Sequence, residues 1–446
     1  MPATSALAAA CALPAVEVPP YDASVDGASG SETGPEGGAD GPAGPETAAE
    51  AGVDSTTMDA GSDARDATPD VTGESQADAG DATAAESGAT DTGLPDGPIP
   101  PPGDAGADQA APDAAGCDGS CVAYVLSDVV GDAGIITLVT TSPLATVGTI
   151  PVGHDPLRVA FTPDGSKAYV SEAGDGTVSV IDTSTRQVTK TIAVTTPAGS
   201  IVRGIAVSPD GRYAFVSNSA QQSVAQIDTS TDTLTATTLP ISPSGPYGIA
   251  FSPDGGELWV GGTNDNGVSR FSYGALSPLG TTAGVSAGHM LGDRIVFLPD
   301  FSAAFLNSGS GCPCCGEFDM VTPGAATATY RQPWSASGYG LVMAPNGSVV
   351  YATSELSPVA CSAAIHDGSL WQIDVQATFF DDLNSTPTYD EPVGLAITPD
   401  GTTLLVAGYG TGGTNPGVTA YDATTLNSIG QPLAISGLPQ DIAIQP

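Results

Sequence analysis

Residues 157–194, LRVAFTPDGSKAYVSEAGDGTVSVIDTSTRQVTKTIAV, set apolar against small or polar positions in four short runs divided by turn-forming sequence. Alternation with a period of two predicts β-strands, each with two distinct faces. The first run ends in T-P-D-G. In such a turn Pro fixes φ, Asp bonds to nearby backbone and Gly takes the φ > 0 position. The unit recurs as VAFTPDG at 159–165, IAVSPDG at 205–211, IAFSPDG at 249–255, IVFLPDF at 295–301, LVMAPNG at 341–347 and LAITPDG at 395–401. Its prolines, Pro163, Pro209, Pro253, Pro299, Pro345 and Pro399, are 46, 44, 46, 46 and 54 residues apart.

A period in this range, with four strand-like runs per unit, predicts the blades of a β-propeller. After each turn comes a second strand (KAYVSE, RYAFVSN, ELWVGG, AAFLNS, VVYATS, TLLVAG). A third follows in TVSVIDT, SVAQIDT, GVSRFSY, SLWQIDV and GVTAYDA. The chain ends in DIAIQP, a first strand whose Pro446 is 47 residues after Pro399. The apolar part opens with CVAYVLS, GIITLVTT and ATVGTIPV, which are second, third and fourth strands. One blade is therefore shared by both termini, which closes the ring and removes an open edge. The expected fold is all-β: a seven-bladed β-propeller of four-stranded antiparallel blades over 117–446. The repeat resembles the YVTN-type β-propeller repeat of bacterial and archaeal cell-surface and periplasmic proteins, across nearly all of 122–446. That resemblance implies the fold and carries little about function.

Strand directions put the P-D-G turns and the turns after the third strands on one rim. The other rim takes the crossovers between blades and the loops between second and third strands. The irregular sequence falls there: NSGSGCPCCGEF at 307–318, SELSPVACSAAIHDGS at 354–369 and GYGTGGTNPG at 408–417. Function is expected on this second rim. In the inner strands, residues two and four before the proline are large and apolar, such as Phe161 and Val159. Those one and three before are small or polar, such as Thr162 and Ala160. Alternation sends the large set between blades and the small set toward the central channel. Five before the proline, at the channel mouth, YVTN-type repeats usually carry Gly, as here at Gly204, Gly248, Gly340 and Gly394. Arg158, Arg294 and Asp441 stand there instead, and Arg203 is one residue earlier. These residues fit an anion-binding funnel, because Arg presents a fork suited to carboxylate or phosphate. They equally fit arginines that pair with Asp155, Asp293 and Asp441 and hold the rim together, the commoner fate of Arg in an acidic protein.

Charge divides the chain in two. Of 50 acidic and 10 basic residues, 22 and one precede Cys117, giving −21; the remaining 28 and nine give −19. The first part is mostly Ala, Gly, Asp, Pro, Thr, Ser and Glu, and cannot bury enough apolar surface to offset the entropy of ordering. Residues 12–116 are expected to be a disordered acidic linker, spanning about 55–60 Å as a flexible coil. Acidity in both parts argues against nucleic acid or an anionic lipid surface as partner. The start, MPATSALAAAC, is similar to the end of a bacterial lipoprotein signal, with residues 1–11 as a shortened signal and Cys11 lipidated. It lacks a basic n-region, and Ala8 stands three residues before Cys11. The expectation is an exported monomer at the outer membrane, periplasm or cell surface, touching the membrane only through Cys11.

The remaining candidate chemistry also maps to the loop-rich rim. His154 (VGHDP) and His289 (SAGHM) occupy matching crossovers and His366 lies in the longest loop. A copper or zinc site from these three is conceivable, but they belong to separate blades and read more simply as isolated surface histidines. Cys117 and Cys121 can close a small loop before the first strand. Cys312, Cys314 and Cys315 lie in one blade's loop and Cys361 in the corresponding loop of the next. Six cysteines in an exported domain suit disulfides. The C-x-C-C spacing is unlike the paired C-x-x-C of zinc ribbons, and no C-x-x-C-H is present. No metal or cofactor is expected. No G-x-S-x-G, H-E-x-x-H or phosphate loop occurs either. The sequence therefore favours a binding scaffold that contacts a protein, glycan or small anion through rim and channel mouth. The alternative is a hydrolase similar to propeller lactonases, with the funnel arginines holding a carboxylate. An electron-transfer role resting on the histidines and cysteines is weaker still.

Overall fold

A computed structural model of the chain describes residues 121–194, 201–241, 245–262, 267–283, 294–308, 316–325, 330–334, 338–354, 368–375, 381–388, 392–410 and 415–446. The signal over 1–11 and the linker over 12–116 lie outside these residues.

The described strands form seven four-stranded antiparallel sheets. Blades 1 to 6 cover 156–193, 202–240, 246–283, 295–334, 338–388 and 392–434. Blade 7 takes its inner strand, Leu438–Ile444, from the end of the chain, and its other three, Val122–Val129, Asp132–Thr141 and Leu144–Pro151, from the start of the apolar part. The seam pairs Ala123 with Ile444, Tyr124 with Ala443, Val125 with Ile442 and Leu126 with Asp441. Inner strands contact one another in order around the ring, with the C-terminal strand touching those of blades 6 and 1. The seven-bladed propeller closed by its own termini is thus the observed fold. Among the described residues no helix is long and apolar enough to cross a membrane.

Seven apolar clusters hold the ring, one at each joint between blades. At each joint the middle residue of a second strand meets the residue two before the turn proline of the next blade. Tyr124 packs edge-on against Phe161 at 5.0 Å between ring centres, Phe215 against Phe251 at 5.6 Å and Trp259 against Phe297 at 5.2 Å. Burying one such side chain stabilises by about 1.5–3 kcal/mol, with about 0.5–1.5 kcal/mol more for a well-placed aromatic pair.

The small set of inner-strand residues does not face the channel. Ala206 is buried at the joint with blade 3, Ala344 at that with blade 6 and Ala396 at that with blade 7. The blades stand radially, so an inner strand turns its edge, not a face, to the channel, and both faces are covered by neighbours. Large residues fill the joint with the preceding blade. Small ones let the following inner strand approach.

On the regular rim the turns lock together in sequence. The turn glycine of one blade lies against the turn proline of the blade before it: Gly165 on Pro446, Gly211 on Pro163, Gly255 on Pro209, Gly347 on Pro299 and Gly401 on Pro345. All five have φ between +66° and +71°. Glycine is needed twice over, for the φ > 0 conformation and for the contact. Blade 4 departs from this: Phe301 holds φ of 56° and packs against Trp259 and Phe297. The turn carboxylates accept from their own turns, and Asp210 also takes the Tyr273 hydroxyl of the next blade at 2.8 Å. Asp164 Oδ1, for example, accepts from Thr162 Oγ1 at 2.6 Å and from Ser166 N at 3.0 Å.

Candidate functional site at the channel mouth

Toward the loop-rich rim, the pairing of inner and second strands slips by a bulge. In blade 1 Pro156 faces Glu172 but Arg158 faces Ser171; in blade 6 Pro392 faces Gly408 but Gly394 faces Ala407. A bulge leaves backbone groups without ladder partners. In blades 1, 2 and 5 a hydroxyl in the second strand supplies them. Ser217 Oγ accepts from Gly204 N at 2.9 Å and donates to Tyr247 O of the next blade at 2.7 Å. Ser171 does the same between Arg158 N and Arg203 O, and Thr353 Oγ1 accepts from Gly340 N at 2.8 Å.

This arrangement explains the glycines five before the proline. A Cβ on Gly204 would lie 2.2 Å from Tyr247 O, and one on Gly340 would lie 2.6 Å from Leu395 Cβ. Adjacent inner strands come too close there for a side chain. Blade 7 lacks the hydroxyl, having Leu126 opposite Asp441. There the carbonyl of Leu157 is met by Arg158, whose Nη1 donates to Leu157 O at 2.6 Å and to Gln440 O at 3.3 Å.

The three departures from glycine converge. Arg294 Nη2 donates to Asp441 Oδ1, and both residues are buried. Asp441 Oδ1 also accepts from Ile442 N at 2.8 Å, while Oδ2 is buried with no hydrogen-bond partner among the described residues. Arg158 and Arg294 therefore both end on the dipeptide Gln440–Asp441 of the closing strand. Arg203 is spent elsewhere: its Nη1 donates to Tyr247 OH at 2.6 Å, with the guanidinium 4.2 Å from that ring's centre. The expected pairing of a mouth arginine with Asp441 is present, but it runs between blades 4 and 7.

His154 lies on the rim, apart from these groups. Its Nδ1 is 3.0 Å from Asp175 Oδ1 and its backbone N donates to Oδ2 at 2.8 Å. The side chains are 56% and 38% exposed, so this is a solvent-facing pair. The hydrogen bond to Asp175 and then that carboxylate's charge raise the His154 pKa above its ordinary value. Burial pushes Asp175 up, but the His154 hydrogen bonds outweigh it and hold that carboxyl below the usual range. Nearby, burial and then the charge of Asp155 push Asp128 up. Asp155 itself has φ of 51°.

The sequence reading passed over Glu172. It is fully buried, and accepts from Gly153 N at 2.7 Å, Thr177 Oγ1 at 2.5 Å and Ser179 Oγ at 2.5 Å. A Cβ on Gly153 would fall 2.7 Å from the Glu172 carboxylate. The available signal was its column, where other blades have Asn218, Gly262, Ser308, Ser354 and Gly408. Three donors, two from its own blade's third strand, make it a tie to the crossover from blade 7.

Cys121 is buried and disulfide-bonded. Cys11, Cys117, Cys312, Cys314, Cys315, Cys361, His289, His366 and Asp293 lie outside the described residues. Among the described residues no group of three His, Cys, Asp or Glu is placed to hold a metal ion.

Residues 128–282 match a repeat of unknown function (DUF6923). The match runs from blade 7 through the outer strand of blade 3. No curated protein matches the chain. Among solved structures it is similar to hydrazine synthase of Kuenenia stuttgartiensis, at 18% identity and a TM-score of 0.55, covering 65% of this chain and 90% of that one. A functionally unknown protein from Desulfotomaculum acetoxidans DSM 771 gives 17% identity and 0.54, covering 72% and 98%. Dihydro-heme d1 dehydrogenase NirN, solved in complex with DHE, gives 15% and 0.52, covering 72% and 74%. At these identities the likeness concerns the fold.

Proposed function

We propose that this chain is a binding scaffold: an exported propeller of YVTN type, held at the cell envelope through Cys11 and the acidic linker, that meets its partner with the loop-rich rim and channel mouth. The observation that supports the reading is the contrast between the two rims. On the regular rim the polar groups are spent within the ring: turn carboxylates accept from their own turns, Asp210 also takes the Tyr273 hydroxyl of the next blade, Lys167 pairs with Asp232 of the next blade, and glycine packs on proline. The opposite rim carries the His154–Asp175 pair and the Arg203–Tyr247 stack. The strands that flank the three long insertions in blades 4, 5 and 6 also end there. Surfaces built from such variable segments on a rigid ring are the usual place for recognition. The mouth arginines hold the ring and the rim together, so the partner is a protein or glycan read by the rim as a whole rather than an anion drawn into a funnel. The pairing of Cys121 with Cys117, and bridges among Cys312, Cys314, Cys315 and Cys361, belong to the same exported setting.

Photo-crosslinking groups introduced at Ser219 or Tyr247 on the loop-rich rim, and at Ser166 or Ser302 on the opposite rim, test this in the native host. The expected result is one discrete adduct from the first pair of positions and none from the second. Equal labelling of both rims, or none, removes the reading. Metabolic labelling with palmitate, lost in Cys11→Ser, checks the anchor; a wild-type chain that takes up no label refutes it.

A further inference from the structure

Blades 4 and 7 are not neighbours in the ring, so a bond between their inner ends must cross the channel. The Arg294–Asp441 pair is such a bond, and the two side chains are 8% and 0% exposed. It joins the shortest inner strand to the one that reaches its blade from the far end of the chain. That of blade 4 is only Ile295–Phe297 and pairs with its own blade at three positions, where the inner strands of blades 1, 2 and 3 have six residues and pair at four or five. That of blade 7 comes from the far end of the chain and is held to its blade without a covalent turn on either side. Arg and Asp appear as a complementary pair in a column that is Gly in blades 2, 3, 5 and 6. Replacing either one breaks a buried, hydrogen-bonded charge pair, which is destabilising.

We propose that Arg294 and Asp441 form a cross-channel lock: it fastens the closing strand to the shortest inner strand and makes the seam and blade 4 open together. Arg158, donating to Gln440 O, steadies the same strand from blade 1. The chain's acidity gives the lock a second role. A ring with a formal charge near −19 repels itself, and one buried pair at the axis opposes outward relaxation at the point where all seven blades meet.

Hydrogen exchange on the full chain, read by mass spectrometry, tests the lock. In Arg294→Gly, amides of the closing strand around Ile442 and Ala443 should exchange at least tenfold faster although they lie across the ring. In Asp441→Gly the same should hold for Ile295–Phe297, with Val202–Val207 of blade 2 unchanged in both. The Gly/Gly double variant should be no worse than the worse single one. The swap Arg294→Asp with Asp441→Arg should recover at least part of the protection. Faster exchange confined to the substituted blade, or additive effects, overturns the proposal. Should the single variants give no soluble protein, the swap decides alone: a folded ring supports the lock and an unfolded one refutes it.

Discussion

The hydroxyl of Ser217 stands where a bulge, a neighbouring blade and a glycine meet. It takes the Gly204 N–H and gives its own proton to Tyr247 O. Ser217→Ala would strand the buried Gly204 N–H, at a cost of about 1–3 kcal/mol, and leave the half-buried Tyr247 carbonyl without this donor. Ser217→Thr should be tolerated, because Thr353 already fills the equivalent place in blade 5. Denaturant unfolding of the two variants checks this; an alanine variant as stable as wild type would show that the hydroxyl is dispensable. The same scale shows where sequence reasoning stops. That Arg158, Arg294 and Asp441 depart from glycine is visible in one column of residues. That two of them bond across the channel depends on where the ring carries blade 4 relative to blade 7, and no local pattern encodes that. Glu172 was visible in its column in the same way, but its role follows from a crossover that only folding brings above it.

Turns and strands were far more legible, because their causes are local. Period-two alternation, a proline that fixes φ and a glycine at φ > 0 act within a few residues, so blade number and closure followed from counting them. The channel-facing assignment of the small residues failed for the opposite reason. Alternation says that a strand has two faces, and only the radial stance of the blades says what covers each. The turns also make a pH prediction. The hydroxyl of Thr162 and then the N–H of Ser166 hold the Asp164 carboxyl below its ordinary pKa; the hydroxyl and then the N–H of Ser302 do so for Asp300. A depressed folded pKa contributes stability above the unfolded value of about 3.9, and that contribution is lost as pH falls through the folded value. Blade 5 builds the same turn with Asn346, whose Oδ1 accepts from Ser348 N at 3.0 Å. An Asp164→Asn, Asp300→Asn variant should therefore fold, gain no stability at pH 7 and lose less than wild type on acidification below about pH 4. Thermal midpoints across pH 2.5–7, an assay range of roughly five units about that value, would show two curves converging as pH falls; parallel curves would mean the turn carboxylates do not titrate as argued.

At the scale of the ring, everything depends on a strand that the chain supplies last. A chain ending at Gln440 keeps every residue of blades 1 to 6. It loses the partners of Ala123, Tyr124, Val125 and Leu126, the buried side chain of Ile442 and the seat of Pro446 on Gly165. It also loses the carboxylate that Arg294 bonds across the ring. Burial of Ile442 alone contributes about 1.5–3 kcal/mol, and breaking a buried charge pair costs about 3–5 kcal/mol. With roughly 2 °C per kcal/mol for a domain of this size, the thermal midpoint should fall by about 10 °C or more. Blades 6 and 1 would each lose the inner strand between them, so the loss should spread and broaden the transition rather than remove one blade cleanly. A synthetic peptide of residues 436–446 added in trans should restore part of the midpoint in a concentration-dependent way, since it binds only the folded ring. An unchanged midpoint after truncation would mean that the ring does not need its seam, and a peptide without effect would mean that the seam holds only when the chain carries it.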